Sequence, residues 1–184
     1  VTTGPIVLEV PDLAGARIHL RPWAARDAPS LVEAWHDPAI QAGSVPPRDR
    51  SLAAAERWID GADERRRAGV AVDLVIACDD DRAIGEVGLS RLDPERRAAI
   101  AGWWIHKADR GAGSATEAVS LFTEWALGPG RLRAVMAEIA SDNAASIRVA
   151  EQSGFRVIDE TRNPQESARG SAPRVWYVSF STVK

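Results

Sequence analysis

Between Trp103 and Ala126 the residue types and their order point to anion chemistry. An apolar, aromatic run, Trp103-Trp104-Ile105, leads through His106-Lys107-Ala108-Asp109-Arg110 into Gly111-Ala112-Gly113-Ser114-Ala115. Behind it, Thr116, Ala118, Val119, Leu121, Phe122, Trp125 and Ala126 recur three and four residues apart, which predicts an amphipathic helix. Two glycines remove side chains where backbone N–H groups can close around an anion, and the unpaired N–H groups of the first helical turn face the same spot. Ser114 and Thr116 are the expected caps, and Glu117 suits the positive end of the helix dipole. Phosphate binding is the chemistry this arrangement supports. A Walker loop needs Lys-Ser/Thr after its second glycine, whereas Gly113 is followed by Ser114-Ala115. A dinucleotide fingerprint needs a third glycine where Thr116 stands, although Glu138 is placed as a later ribose acid. A plain strand-to-helix turn is the competing reading.

A second group of residues lies downstream. Asn143-Ala144-Ala145-Ser146 opens a helix that Gly154-Phe155 closes, and asparagine caps helices well on its own account. Upstream, Glu86 stands within the apolar stretch Ile84-Gly85-Glu86-Val87-Gly88, either as a functional carboxylate or as a solvent-facing strand residue. His106 titrates near neutrality by type.

The order Ile105, four residues, Arg110, two residues, Gly113, one residue, Ala115 resembles the acyl-CoA pyrophosphate loop of the GNAT superfamily of N-acetyltransferases. Trp-Trp-Ile-His before the loop, Ala-Thr-Glu-Ala-Val after it and the Asn-x-x-Ser … Gly-Phe segment are similar to its RimJ/RimL-type branch, and the resemblance extends from about Arg17 to Phe180. It implies that the backbone of Ile105, His106 and Lys107 bonds the pantetheine arm. Arg110, Gly111, Ala112, Gly113, Ser114 and Ala115 would hold the pyrophosphate, with Asn143 and Ser146 reaching the cofactor from the other side. The tyrosine acid common in the superfamily is replaced here by Ala150, and the sole tyrosine, Tyr177, lacks motif support. A thiolate leaves readily because thiols ionise near pKa ~8.5, so proton donation is a modest requirement, and the resemblance implies Ser146 as its source. Glu86, acting through water, is the first candidate for the base that deprotonates an acceptor ammonium. His106 matches a residue common at its position in the branch and is read chiefly as positional.

These residues need elements to hold them. The chain has 184 residues and a net charge of -3, enough for one domain with a sizeable core (1–184, with 1–16 as a loosely held N-terminal arm) and without a general attraction to nucleic acid. A single cysteine, Cys78, excludes an intramolecular disulfide and a cysteine-cluster zinc site, consistent with a reducing cytoplasm. It lies in Leu74-Val75-Ile76-Ala77-Cys78, where a buried small hydrophobe is expected. No apolar run is long enough to span a membrane, and Ile6 to Val10 is too short for a signal peptide.

Arg17 to Pro22 alternates as a first strand, and Asp27 to Trp35 forms a helix. Pro38 to Arg50 is expected as a loop, and Ser51 caps a second helix that ends in the solvated run Asp63-Glu64-Arg65-Arg66-Arg67. Val70 to Cys78, Arg82 to Leu92 and Ala98 to His106 form an antiparallel meander joined by Asp79-Asp80-Asp81 and Asp93-Pro94-Glu95-Arg96. The three aspartates lack the spacing of a calcium loop. Leu132 to Ala140, Phe155 to Thr161 and Arg174 to Ser181 complete a mixed, largely antiparallel α/β (α+β) sheet flanked by helices. Arg162 to Pro173 is long for a hairpin and is a candidate functional loop. Seven tryptophans are concentrated in the chain, with Trp35 and Trp58 flanking the first loop.

The expected activity is transfer of an acetyl or other short acyl group from acyl-CoA to a primary amine, either a small molecule or a protein N-terminus. Direct attack in a ternary complex needs no metal, and the resemblance also allows a homodimer. A non-catalytic CoA-binding module of the same fold is the alternative.

Overall fold

Alternating apolar residues and short acidic turns dominate the middle of the chain, and they fold as a continuous antiparallel run. The computed structural model describes residues 4–159 and 173–181. Strands β1 (Leu13–Ala14), β2 (His19–Pro22), β3 (Ala71–Ala77), β4 (Ala83–Asp93), β5 (Ala98–Ile105), β6 (Ala134–Ala140), β7 (Arg156–Asp159) and β8 (Arg174–Phe180) form one sheet ordered β1-β2-β3-β4-β5-β6-β8-β7. Helices α1 (Ala28–His36), α2 (Pro38–Gln41), α3 (Leu52–Asp60) and α4 (Ala62–Arg67) lie between β2 and β3 in the chain. Helix α5 (Ser114–Leu127) joins β5 to β6, and α6 (Ala144–Gln152) joins β6 to β7. The mixed α/β sheet and the β3–β4–β5 meander are as the sequence predicts.

Successive residues of β3 serve opposite layers. Leu74 and Ile76 join the larger core with Leu20, Val87, Leu89 and the α5 residues Val119 and Phe122. Val75 and Ala77 join a second core with Trp23, Leu31, Trp35, Ala55 and Ile59 from the α1–α3 side. Because both faces are covered, β3 shows a nearly continuous apolar run, and each large side chain so buried contributes roughly 1.5–3 kcal/mol.

One ladder differs from the rest. Every neighbouring pair is antiparallel except β5 and β6, which run parallel and pair only where Ala98, Ala99 and Ile100 meet Ala134, Val135 and Met136. Beyond Ile100 the two strands diverge while each stays paired on its other edge, β5 to β4 and β6 to β8. The sheet therefore splits into a slot at the C-terminal ends of β5 and β6.

Several expectations change. From Gly4 onward the arm is not loosely held: Ile6 and Leu8 are buried in the larger core, the Leu8 carbonyl accepts from Arg66 Nη1 at 3.0 Å, and Leu13–Ala14 pairs with β2. The first loop begins with a helical turn, α2, capped by Asp37, which accepts from Ala39 N–H. Cys78 is half-buried rather than buried, its thiol donating to Asp80 Oδ1. Asp81 takes the turn position with φ 63° and binds Arg21, Arg26 and His19. The expected functional loop from Arg162 to Pro173 lies outside the described residues, apart from Pro173 itself.

Candidate active site

The slot gathers most of the residues singled out by type. The loops after β5 and β6 lead into the N-termini of α5 and α6, so both helices begin beside the opening. The first turn of α5 is tied to the C-terminal end of α6: Thr116 Oγ1 meets Gln152 Oε1 at 3.2 Å, and Ser153 Oγ donates to the Thr116 carbonyl at 3.2 Å. His106 N–H donates to the Ile84 carbonyl at 2.9 Å, which fixes the alternation of the β5 ladder. By that alternation the peptide groups of Trp103 and Ile105 point away from β4 and into the slot. Arg110 Nε takes the Ile105 carbonyl at 2.9 Å, leaving the Ile105 N–H on that edge.

The turn after β5 is built from backbone. Gly111 and Gly113 both adopt left-handed conformations, φ 83° and 85°, and a Cβ added at Gly111 would meet open space. Gly113 is the N-cap of α5, and no side chain caps it. This corrects the expectation of Ser114 or Thr116 as caps: Ser114 is already helical and buried. An uncapped helix start leaves its first N–H groups to whatever binds there, and the dipole favours an anion. Glu117 holds the neighbouring β1–β2 turn, accepting from the Ala16 and Arg17 amides. That contact lays the exposed Arg17 across the turn, its Nη1 on the Ala112 carbonyl at 2.7 Å, a cation that sequence spacing did not single out. The Arg110 guanidinium points elsewhere: Nη2 pairs with Asp37 at 2.8 Å, tying the turn to the α1–α2 junction. Its backbone, rather than its side chain, is what the turn offers to a phosphate.

Across the opening, Asn143 Oδ1 accepts the Ser146 N–H at 3.0 Å and caps α6. Ser146 is half-buried, with its hydroxyl making no hydrogen bond to a described residue. Ala150, which replaces the superfamily tyrosine, is fully buried, and Tyr177 is packed in the larger core.

On the α1–α3 side of the sheet stands Glu86. Its register partners are Val75 and Trp104, so its side chain shares the face of the second core and is not solvent-facing. Trp104 Nε1 donates to Glu86 Oε1 at 3.3 Å, whereas Oε2 is shielded and has no hydrogen-bond partner. Burial pushes the Glu86 carboxyl up to about 8, with the charge of Asp73 adding to the rise. Asp73 pairs with Gly88, two residues along β4 on the same face, and burial raises its carboxyl as well. An acid in an apolar strand was the signal that singled out Glu86, and Val72-Asp73-Leu74 carries the same signal.

His106 is buried at 5 % exposure. Its Nε2 lies 2.7 Å from Ser30 Oγ, its Nδ1 lies 3.9 Å from Glu33, and its ring sits edge-on to Trp104. Burial lowers its pKa, so the imidazole is neutral at pH 7 and helps to fix Trp104. Lys107 is exposed in the short turn before Arg110.

The arrangement thus offers an anion cradle, a slot lined by free peptide groups and a carboxylate poised near neutrality. Glu86 comes from β4 and the cradle from the β5–α5 turn, brought together by the β4–β5 ladder.

Comparison with known proteins agrees with this geometry. The family described as Acetyltransferase (GNAT) domain matches residues 17–156. The probable N-acetyltransferase YjcK of Bacillus subtilis is 34% identical over 82 residues, a stretch covering 44% of this chain and 45% of that protein, so the match spans just under half of the relative. Among solved structures, the ribosomal-protein-S5-alanine acetyltransferase from Vibrio fischeri superposes with a TM-score of 0.80 at 17% identity, covering 94% of this chain and 98% of that one. RimL, the ribosomal L7/L12 alpha-N-protein acetyltransferase in complex with coenzyme A, gives 0.76 at 19% identity over 95% and 99%. The microcin C7 self-immunity acetyltransferase MccE, in complex with acetyl-CoA and AMP, gives 0.74 at 18% identity over 98% and 97%. At these identities the structures share the fold.

Proposed function

The chain belongs to the GNAT acetyltransferase family, and we propose that it is an acyl-CoA-dependent N-acetyltransferase that acetylates a primary amine. The observation that carries the reading is the split between β5 and β6, which opens onto the bare glycine turn on one side and lies one strand from Glu86 on the other. Its residues fit acetyl-CoA. Backbone N–H groups from Gly111 to Ala115, at the uncapped start of α5, would receive the pyrophosphate, with Arg17 as a further cation. The free peptide groups of Trp103 and Ile105 would pair with the pantetheine arm as a strand does. Asn143 and Ser146 would close the far side. Acetyl-CoA supplies the acetyl group, already activated as a thioester.

The chain's own residues then manage protons and charge. An amine attacks only as the free base, and Glu86 takes its proton directly or through one water. A carboxyl held near 8 is a stronger base than an exposed glutamate and returns its proton easily near neutrality. The Ile105 N–H is positioned for charge developing on the carbonyl oxygen. The Ser146 hydroxyl, unengaged by other described residues, would hydrogen-bond the departing thiolate, whose proton comes in the end from the nitrogen of the acceptor. RimL is by name an alpha-N-protein acetyltransferase and the Vibrio fischeri enzyme a ribosomal-protein-S5-alanine acetyltransferase, and an α-amino group is one acceptor that this site would take.

The test is release of CoA thiol from acetyl-CoA across a panel of amines, with products identified by mass spectrometry. Amine-dependent release that Glu86→Gln suppresses supports the assignment. Tight acetyl-CoA binding without amine-dependent release overturns it in favour of a binding module.

A further inference from the structure

Next to Glu86 the structure leaves several buried polar atoms without partners, all in one corner between the sheet and α1, α3 and α4. Arg65, expected on a wet helix face, turns inward instead. Its guanidinium lies 4.1 Å over the Trp58 ring, and Nη1 donates to the Trp58 carbonyl at 2.8 Å. Its other edge makes no hydrogen bond: Nε and Nη2 are buried, and Nη2 keeps only an ion pair with Asp73 at 3.6 Å. Trp23 packs between Trp58 and Trp104, at centroid separations of 5.9 and 6.3 Å. Its indole Nε1 is buried and makes no hydrogen bond of normal geometry, although the group is close enough to stabilise the Glu86 charge. Glu86 Oε2 completes the set.

Each such atom costs about 1–3 kcal/mol if left dry and unpaired, so four in one corner imply a group that meets them. The donors outnumber the acceptor three to one, and their layout is informative. The Nε–Nη2 edge of arginine is the fork that matches the two oxygens of a carboxylate, which a single amide carbonyl does not fill. Glu86 Oε2 asks for a donor, and the surrounding indole rings favour a cation. Gly102 leaves an approach along the sheet: a Cβ there would meet open space, whereas one at its register partner Gly88 would lie 2.7 Å from Asp73 Oδ1.

We propose that this corner anchors the acceptor, with a carboxylate of the acceptor seated on the Nε–Nη2 edge of Arg65 and the Trp23 N–H while its primary amine faces Glu86 Oε2. The acceptor class is then a small amphoteric amine, of which a free amino acid is the simplest. This rests on the reading of Glu86 as the base, and Arg65 acts as a specificity residue that binds and orients.

The test separates binding from turnover. Tryptophan fluorescence of the CoA-loaded protein is titrated with the standard amino acids, with their amides and with their decarboxylated amines, and acetyl transfer is measured for the same compounds. The expected result is saturable binding of one or more amino acids, roughly 10–100-fold weaker for the amide and decarboxylated counterparts, the range expected of hydrogen bonds between charged groups. Arg65→Lys keeps the charge and removes the fork, so it should erase that preference by raising KM with little change in kcat. Trp23→Phe keeps the ring and should weaken amino-acid binding several-fold; circular dichroism checks that both variants fold. Equal use of carboxylate-free amines or of peptides, an Arg65→Lys effect that ignores the carboxylate, or no amino-acid binding overturns the proposal. Acetyl transfer without carboxylate preference rejects the subsite and keeps the activity. Carboxylate-dependent binding without transfer keeps the subsite and rejects the base.

Discussion

Replacing Glu86 by glutamine tests the base through its pH dependence. Glutamine keeps an oxygen for Trp104 Nε1, which lies 3.3 Å from the native carboxylate, and changes little volume. With the carboxyl pushed up to about 8, mainly by burial, about one molecule in ten is ionised at pH 7 and about nine in ten at pH 9. The acceptor amine titrates in the same range, so the raw profile is ambiguous. The ratio of wild-type to variant kcat/KM removes the acceptor's share, and it should rise roughly tenfold from pH 7 to pH 9. Loss of the base should lower the plateau by about 10²–10⁴-fold. A ratio that stays flat with pH refutes the assignment even if the variant is slow. Stability gives a second reading. Between the ordinary 4.5 and about 8, the folded chain keeps a proton that the unfolded chain has released. Folding is therefore penalised increasingly as pH rises through that window, and the penalty is complete above about 8. Glu86→Gln removes it, so the variant's Tm should gain on wild type from pH 5 to pH 8.5. An unchanged Tm difference would show that Glu86 is not held protonated by its surroundings.

Three further outcomes are expected. Gly113→Val should abolish acetyl-CoA binding measured by calorimetry and cost about 1–2 kcal/mol of stability, because φ is 85° there and valine is strained in that region; normal affinity in the folded variant rejects the pyrophosphate turn. Ser146→Ala should lower kcat by about 10-fold while the CoA Kd holds, since a thiolate needs little help to leave; parallel losses in both would make Ser146 a binding residue only. Trp104→Phe removes the hydrogen bond that lowers the Glu86 pKa, so the inflection of the rate profile should move to higher pH, and an unmoved inflection would place the titration on another group.

Local chemistry was legible in the sequence because it acts over a few residues. The glycines at 111 and 113, the Asn143 cap, the Ser51 cap of α3 and the acidic turns of the meander each declare their conformation by type. Apolar periodicity placed α5, α6 and the strands from β2 to β8, and the order of elements implied the largely antiparallel sheet. The sequence thus determined the glycine turn and marked Glu86 as anomalous. Only the tertiary structure decided what Glu86 is. Its buried setting comes from Asp73, Arg65, Trp23 and Trp104, which arrive from β3, α4, the segment before α1, and β5 through ladders and helix packing. Arg65 was hidden in a basic run whose composition suggests solvent, and nothing in its neighbours reveals that Arg65 packs over Trp58 and Arg66 reaches the Leu8 carbonyl. The side chain of Arg110 likewise follows Asp37, 73 residues away, and not the local motif. Local torsions are set by residue type, whereas burial and charge partners depend on which distant segments pack together, so pKa and specificity became readable only in the folded chain.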